Sequence, residues 1–277
     1  MTRPYAEVIG DPISHSKSPR IHGFWLHELG IEADFRACHV RSDELAGYFA
    51  GRRKDPLWRG CNVTLPHKEA IAPLLDRIGP RAQAIGAINT VYRDGEGALI
   101  GANTDVDGVA DAITGIDLAG RVVCVIGAGG AARAAFALLA ERGCAEVRVL
   151  ARNADKARRV AAECGIDARP ISFEEPHVAL EGAGLLINAT QLGMSGQDQM
   201  PGNLLSSLAA MAPDGLVFDM VYAPLETQLL ASARAVGLKT SDGLVMLVGQ
   251  AATAFERFFG QPAARESDAK LRDMLTS

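Results

Sequence analysis

Three features of the chain predict a two-domain α/β fold. It has 277 residues, and at about 150 residues per domain that length favours two. Apolar strand-like runs alternate with helical segments, most regularly from Arg121 onward, a rhythm that implies right-handed parallel crossovers and a doubly wound sheet. A glycine-rich turn at residues 127–132 joins a buried-type strand to a helix. Hydrophobic residues make up 48% and charged residues 22%, enough apolar surface to offset the entropy of ordering. With 28 basic against 33 acidic residues the net charge is −5, which argues against nucleic acid or an anionic membrane as partner. No run reaches the roughly 18 apolar residues of a membrane span, and the opening residues lack the apolar stretch of a signal peptide. The five cysteines form no C-x-x-C pair and the six histidines no H-x-x-x-H pair. Neither a disulfide framework nor a metal site is expected, and the location is cytoplasmic.

The elements follow in order. Tyr5–Ile9 reads as a strand, residues 10–18 as a loop, and Pro19–Leu29 as a helix with Ser18 as N-cap, Pro19 at N1 and Gly30 at C′. Residues 60–64 read as a strand leading into a helix that opens at Pro66. Residues 88–92 and 98–100 are two strands paired through the turn Asp94-Gly95. Further strands are Val122–Ile126, Glu146–Leu150, Leu185–Asn188 and Leu216–Tyr222, and Leu244–Phe259 is apolar at helical spacing. These divisions give a first domain over 1–103, a second over 104–243, and helices over 244–277 that return to the first.

Gly127-Ala128-Gly129-Gly130-Ala131-Ala132 matches G-x-G-x-x-A between a strand and a helix, the context that gives the motif meaning. Gly127 allows a tight turn, Gly129 lets backbone approach a pyrophosphate, and Ala132 permits close helix–strand contact. The helix start offers free N–H groups and partial positive charge. Where NAD sites place an acid after the second strand, this chain has Ala151-Arg152-Asn153-Ala154-Asp155-Lys156. Arg152 with Lys156 suits a 2′-phosphate and hence NADP. Asp155 has the opposing sign, and both cations could equally be solvated residues at a helix start.

Three clusters lie outside that unit: Ser14–Pro19, Asn62–Lys68 and Asn103-Thr104-Asp105. Taken singly, Ser18, Thr64 and Asp105 read as ordinary helix caps and first-turn acids. Lys68 fits that account least well. A cation in the first turn of the expected helix faces the positive end of the dipole, a field that favours the neutral, proton-accepting amine. A carboxylate such as Asp105 would oppose that effect while fixing the amine's position. Hydroxyls at a helix start suit a carboxylate anion.

Gly10-x-Pro12-Ile13-x-His15-Ser16-x-Ser18-Pro19, Asn62-Val63-Thr64-x-Pro66-x-Lys68, Gly86-Ala87-Ile88-Asn89-Thr90 and Asn103-Thr104-Asp105 resemble the shikimate dehydrogenase family in order and spacing. The resemblance continues through Asn188-Ala189-Thr190, Asp219–Tyr222 and Asp242–Gln250. It implies NADPH-dependent reduction of 3-dehydroshikimate to shikimate on the route to chorismate and aromatic amino acids. It implies Lys68 and Asp105 as the catalytic pair, Ser16 and Ser18 on the substrate carboxylate, and Thr64, Asn89, Asp105 and Gln250 on the ring hydroxyls, with Tyr222 lining the pocket. Gly127, Ala128, Gly129, Gly130, Ala131, Arg152, Met220 and Gly243 match its nucleotide contacts. The fold implied is a Rossmann-type doubly wound nucleotide domain plus a smaller α/β substrate domain completed by the C-terminal helices, as monomer or homodimer. Ala151, Asn153, Gln191, Ala223 and Pro80 depart from residues common in the family. The rivals are an NAD-using quinate/shikimate dehydrogenase, a catalytically silent NADP-binding paralogue, and a reductase working through a cysteine thioester at Cys61.

Overall fold

A computed structural model describes residues 3–277. The chain forms two compact units, one of Met1–Thr104 with Gln250–Ser277 and one of Asp105–Gly249.

The first unit carries β1 (Tyr5–Gly10), α1 (Ser18–Glu28), β2 (Asp34–His39), α2 (Leu45–Arg53), β3 (Trp58–Val63), β4 (Arg77–Ile78), α3 (Pro80–Ile85), β5 (Thr90–Arg93) and β6 (Leu99–Ala102). They form one sheet in the order β2-β1-β3-β5-β6-β4. β1 runs parallel to β2 and β3, while β5 is antiparallel to both β3 and β6. The ends of β1, β3 and β6 and the start of β5 therefore lie along one edge. Tyr5, Ile9, Phe49, Trp58, Val91 and Leu99 fill one face. Glu7, on buried β1, is tolerated because Arg36, Arg52 and the Tyr48 hydroxyl bind its carboxylate at 2.7–3.1 Å, since a buried charge must be paired.

The second unit carries α4 (Asp105–Ala112), β7 (Val122–Ile126), α5 (Gly130–Ala140), β8 (Glu146–Leu150), α6 (Ala154–Glu163), β9 (Ala168–Ile171), α7 (Pro176–Leu180), β10 (Ala183–Asn188), α8 (Gly202–Ser207), β11 (Leu216–Asp219), α9 (Gln228–Ala235) and β12 (Lys239–Ser241). Its sheet has the order β12-β11-β10-β7-β8-β9 and every pair is parallel. This is the doubly wound order, reversing between β7 and β10. The central strands are apolar up to Asn188, the last residue of β10, as burial on both faces demands. α10 (Gly243–Phe259) and α11 (Asp268–Thr276) complete the chain. From Gln250 onward they belong to the first unit, where Phe255 packs edge-on against Trp25 of α1.

Four local expectations are corrected. No helix opens at Pro66: residues 65–71 are turns followed by a 3-10 segment at Ala72–Leu74. Pro73 removes an N–H and disfavours helical backbone at Ala72, leaving too few residues for a helix to nucleate. Ser18 is the first helical residue, and its N–H is accepted by Ser16 Oγ at 3.2 Å. The β5–β6 turn runs through Gly97, closed by Asp94 N–H to the Ala98 carbonyl and by the Asp94 carboxylate on the N–H of Glu96 and Ala98. β11 stops at Asp219, because the Asp219 carboxylate takes the Val221 N–H at 3.0 Å and turns the chain out of the sheet.

Candidate active site

At the reversal point of the second sheet, β7 runs into Gly127, whose φ of +96° is open to glycine and few others. A Cβ there would lie 2.5 Å from Thr190 Cγ2, so the turn also needs glycine to pack against the β10 loop. Gly129 differs: its φ is −95°, and a Cβ would meet no protein atom within 4 Å. The missing side chain leaves open space above the backbone at the start of α5, where a pyrophosphate can approach the chain closely. Ala132 is fully buried under the helix.

Gly127, Ala128 and Gly129 line a cleft of about 760 Å³ together with Arg152, Asn153, Lys156, Phe173, Glu174, Thr190 and Gln191. Asn153 caps α6, its Oδ1 accepting the Lys156 N–H at 2.9 Å. Both cations are exposed at the lip. Asp155, whose sign opposed the NADP reading, pairs instead with Arg158 at 3.3 Å. The residues present therefore fit an NADP adenosine phosphate: a cradle, a turn and two cations around one cleft. Gly130 and Ala131 begin α5. Met220 and Gly243 lie outside this lining; the Gly243 N–H is bonded to the Val221 carbonyl at 3.2 Å, and a Cβ at Gly243 would collide with the Met220 carbonyl at 2.2 Å. Residue patterns gave no sign of Phe173, Glu174, Gln197 and Asp198, because their loops have no motif and reach the cleft through the sheet order alone.

A buried polar network shapes the β10 and β11 loops. Asn188 Nδ2 donates to Asp219 Oδ1 at 2.9 Å and its Oδ1 accepts from Thr190 Oγ1 at 2.7 Å. Thr227 Oγ1 donates to Asp219 Oδ2 at 2.7 Å. Burial raises the Asp219 carboxyl above its ordinary value, against the lowering effect of the Thr227, Val221 and Asn188 donors.

In the first unit the sequence-predicted residues gather along the sheet edge. Thr64 N–H bonds the Ile9 carbonyl and Asp11 N–H the Leu65 carbonyl, tying the β1 and β3 exit loops together. The Lys68 carbonyl accepts the Ile88 N–H at 2.7 Å, which holds its turn against the segment leading to Asn89. Lys68 is half-buried, and without a helix at Pro66 the dipole account of its amine has no basis. Lys17 Nζ donates to the Leu275 carbonyl at 2.7 Å, anchoring the Ser16–Ser18 loop to α11. Asn89 and Gln250 are buried amides joined through Thr104, whose Oγ1 accepts from Asn89 Nδ2 at 3.0 Å and donates to Gln250 Oε1 at 3.5 Å. Asp105 opens α4 and Tyr222 follows β11, both in the second unit. Among the described residues no group of three or more His, Cys, Asp or Glu is placed to hold a metal ion, and no helix is long and apolar enough to cross a membrane. Cys61 lies fully inside the core, where burial pushes its thiol up and away from thiolate chemistry.

A doubly wound sheet with a glycine-rich turn at its reversal point and a cationic lip defines a dinucleotide-binding α/β protein. The chain belongs to the shikimate dehydrogenase family. Residues 8–91 match the shikimate dehydrogenase substrate binding domain, 108–194 the shikimate / quinate 5-dehydrogenase family and 243–269 the shikimate 5′-dehydrogenase C-terminal domain. A shikimate dehydrogenase (NADP(+)) of Sphingopyxis alaskensis is 48% identical over 99% of this chain and 97% of its own. The structure of shikimate 5-dehydrogenase from Thermus thermophilus in complex with NADP(H) and shikimate is similar at TM-score 0.83 and 37% identity, covering 98% of this chain and 99% of that one. A ligand-free 5-ketofructose reductase of Gluconobacter sp. is similar at TM-score 0.87 and 30% identity, covering 99% of each chain. One scaffold thus serves more than one substrate among these relatives.

Proposed function

We infer that the chain is an NADP-dependent shikimate dehydrogenase, reversibly reducing 3-dehydroshikimate to shikimate in the route to chorismate and the aromatic amino acids. The observation that carries this reading is likeness along the whole chain, at 48% identity to a relative of that name. We assign substrate binding to residues 1–103, NADP binding to 104–243, and to 244–277 the helices that return to the first domain; the matched segments and the two compact units support that division.

When bound, NADPH supplies the hydride. Lys68 gives its proton to the ring carbonyl oxygen in reduction and takes the hydroxyl proton in oxidation, and Asp105 holds the amine in position. Ser16 and Ser18 hold the substrate carboxylate through their side-chain hydroxyls. Thr64, Asn89, Asp105 and Gln250 bind the ring hydroxyls, and Tyr222 lines the pocket. Gly127, whose own N–H is donated to the Leu150 carbonyl at 2.8 Å, turns the chain so that the backbone N–H groups of Ala128, Gly129, Gly130 and Ala131 receive the pyrophosphate. Arg152 and Lys156 neutralise the 2′-phosphate, and Met220 and Gly243 complete the nucleotide contacts. Most of the rate then comes from alignment and proton transfer. A cytoplasmic monomer or homodimer with no nucleic-acid partner completes the reading, supported by five free cysteines and a net charge of −5.

The test is a two-by-two assay of shikimate and quinate against NADP and NAD, with Lys68→Ala alongside. Turnover is expected chiefly with shikimate and NADP, and Lys68→Ala should lose roughly a hundredfold or more in kcat while still binding NADPH. Turnover chiefly with quinate and NAD would overturn the assignment, and undiminished turnover in Lys68→Ala would remove Lys68 from the chemistry.

A further inference from the structure

Asn89 sits in a hydrogen-bond arrangement that fixes which end of its amide can meet a ligand. The Thr104 backbone N–H lies 2.7 Å from Asn89 Oδ1. A backbone N–H can only donate, so that atom is the carbonyl oxygen and the amide orientation is settled by chemistry. The Thr90 hydroxyl donates to the same oxygen at 3.0 Å, while the Thr104 hydroxyl, 3.3 Å away, directs its one proton to Gln250 Oε1. A carbonyl oxygen has two lone pairs, and the Thr104 N–H and the Thr90 hydroxyl occupy both. Asn89 Nδ2 in turn donates to Thr104 Oγ1 at 3.0 Å. The Asn89 carbonyl oxygen is thus saturated by protein donors, and only the N–H end of the amide can turn to a ligand.

Thr90 is the part of this arrangement to which the proposed reaction gives no substrate contact. Its side chain is fully buried, on the first residue of β5, directly opposite Asn62 of β3 in the antiparallel register and opposite Ala102 of β6. Asn62 Nδ2 donates to Thr90 Oγ1 at 3.1 Å. Having accepted that proton, the Thr90 hydroxyl turns its own toward Asn89 Oδ1. The sequence of donors runs from Asn62 through Thr90 to Asn89, and on through Thr104 to Gln250.

We propose that Thr90, backed by Asn62, is a positioning residue that locks the Asn89 amide with N–H toward the substrate, so that this wall of the site selects an acceptor oxygen on the ring. The proposal rests on the shikimate dehydrogenase reading for the identity of that ring. It explains why a polar pair is kept between two central strands, where an apolar pair would have no desolvation to offset.

The test separates the Thr90 proton from the Thr90 volume. Thr90→Val keeps the shape and removes the hydroxyl; Thr90→Ser keeps the hydroxyl and removes a methyl. With shikimate and NADP, Thr90→Val is expected to raise the shikimate KM by about tenfold, the value of one hydrogen bond, with the NADP KM within about twofold of wild type. Thr90→Ser should bring the shikimate KM back to within about threefold. The Asn89 side-chain NH2 pair in nitrogen-15 spectra gives a readout independent of turnover: protected from exchange in wild type and Thr90→Ser, and exchanging faster in Thr90→Val. A purely packing role predicts the reverse order, with Ser worse than Val. That order, or an unchanged KM and unchanged amide in Thr90→Val, overturns the proposal. Should Thr90→Val fail to fold, Thr90→Ser decides alone: loss of amide protection despite a retained hydroxyl overturns it. A wild type that does not oxidise shikimate would refute the functional reading instead, while the amide signal still judges Thr90.

Discussion

His22 shows at the residue scale how burial sets chemistry. Its ring is stacked on Phe35 with centroids 3.9 Å apart, lies near Trp25, Phe255 and Phe258, and closes no hydrogen bond through either nitrogen. Burial pushes it from 6.5 down to about 3, over the opposing pull of the neighbouring Asn62 amide. The unfolded chain therefore binds a proton below 6.5 that the folded chain refuses until about 3. Stability falls as pH drops through that window, by up to about 1.4 kcal/mol per pH unit for this one proton. Urea unfolding from pH 7 to pH 4 should show a steeper decline for wild type than for His22→Leu. Parallel profiles would mean that His22 titrates alike in both states. The sequence offered six histidines with nothing to distinguish this one; its isolation arises from β2 and α10, which are remote from it in the chain.

At the scale of elements, the glycine-rich turn was legible because its causes are local. Strand, turn and helix are contiguous, and the motif says what each glycine does. The structure adds that two of those glycines do different work. Gly127→Ala should lower both the melting temperature and NADPH affinity, since a Cβ there meets both a positive φ and the Thr190 methyl. Gly129→Ala should leave the melting temperature within a few degrees of wild type while weakening NADPH binding tenfold or more, roughly the effect of blocking one close backbone–phosphate approach. Paired thermal-shift and fluorescence titrations check this; equal losses of stability in both variants would show that Gly129 is structural. The Lys68 segment departs from its local pattern for the opposite reason. Its polar residues suit a helix start, but Pro66 and Pro73 leave too little room for one, and the turn is held by Ile88, twenty residues on. Strand ends failed likewise at Asp219, where a side chain outcompetes the ladder.

For the whole molecule, a net charge of −5 must accommodate two anionic ligands, which is possible because charge acts locally. Arg152 and Lys156 stand beside the glycine-rich turn in a cleft that also carries Glu174 and Asp198, whereas nearby Arg158 and Arg133 are paired with Asp155 and Glu163. Ligand linkage makes this measurable: a nucleotide at about 100 times its Kd stabilises the fold by about 2.7 kcal/mol. At equal concentration NADP should raise the melting temperature more than NAD, and Arg152→Ala should shrink that difference. An unaltered difference would place the 2′-phosphate elsewhere.

The sequence by itself determined the α/β alternation, the nucleotide turn and most of the polar residues of the three clusters, because period, capping chemistry and glycine geometry act within a few residues of one another. Tertiary structure alone decided how those residues are held. The cleft wall at Phe173 and Glu174 exists because β9 lies beside β8. Asn89 has a fixed amide because strand register sets Asn62 opposite Thr90, and Gln250 reaches Thr104 only because the last 28 residues fold back onto the first unit. Hydrogen bonds between residues 28 to 146 positions apart leave no mark on local sequence, since the chain between them contributes nothing to their geometry except its path.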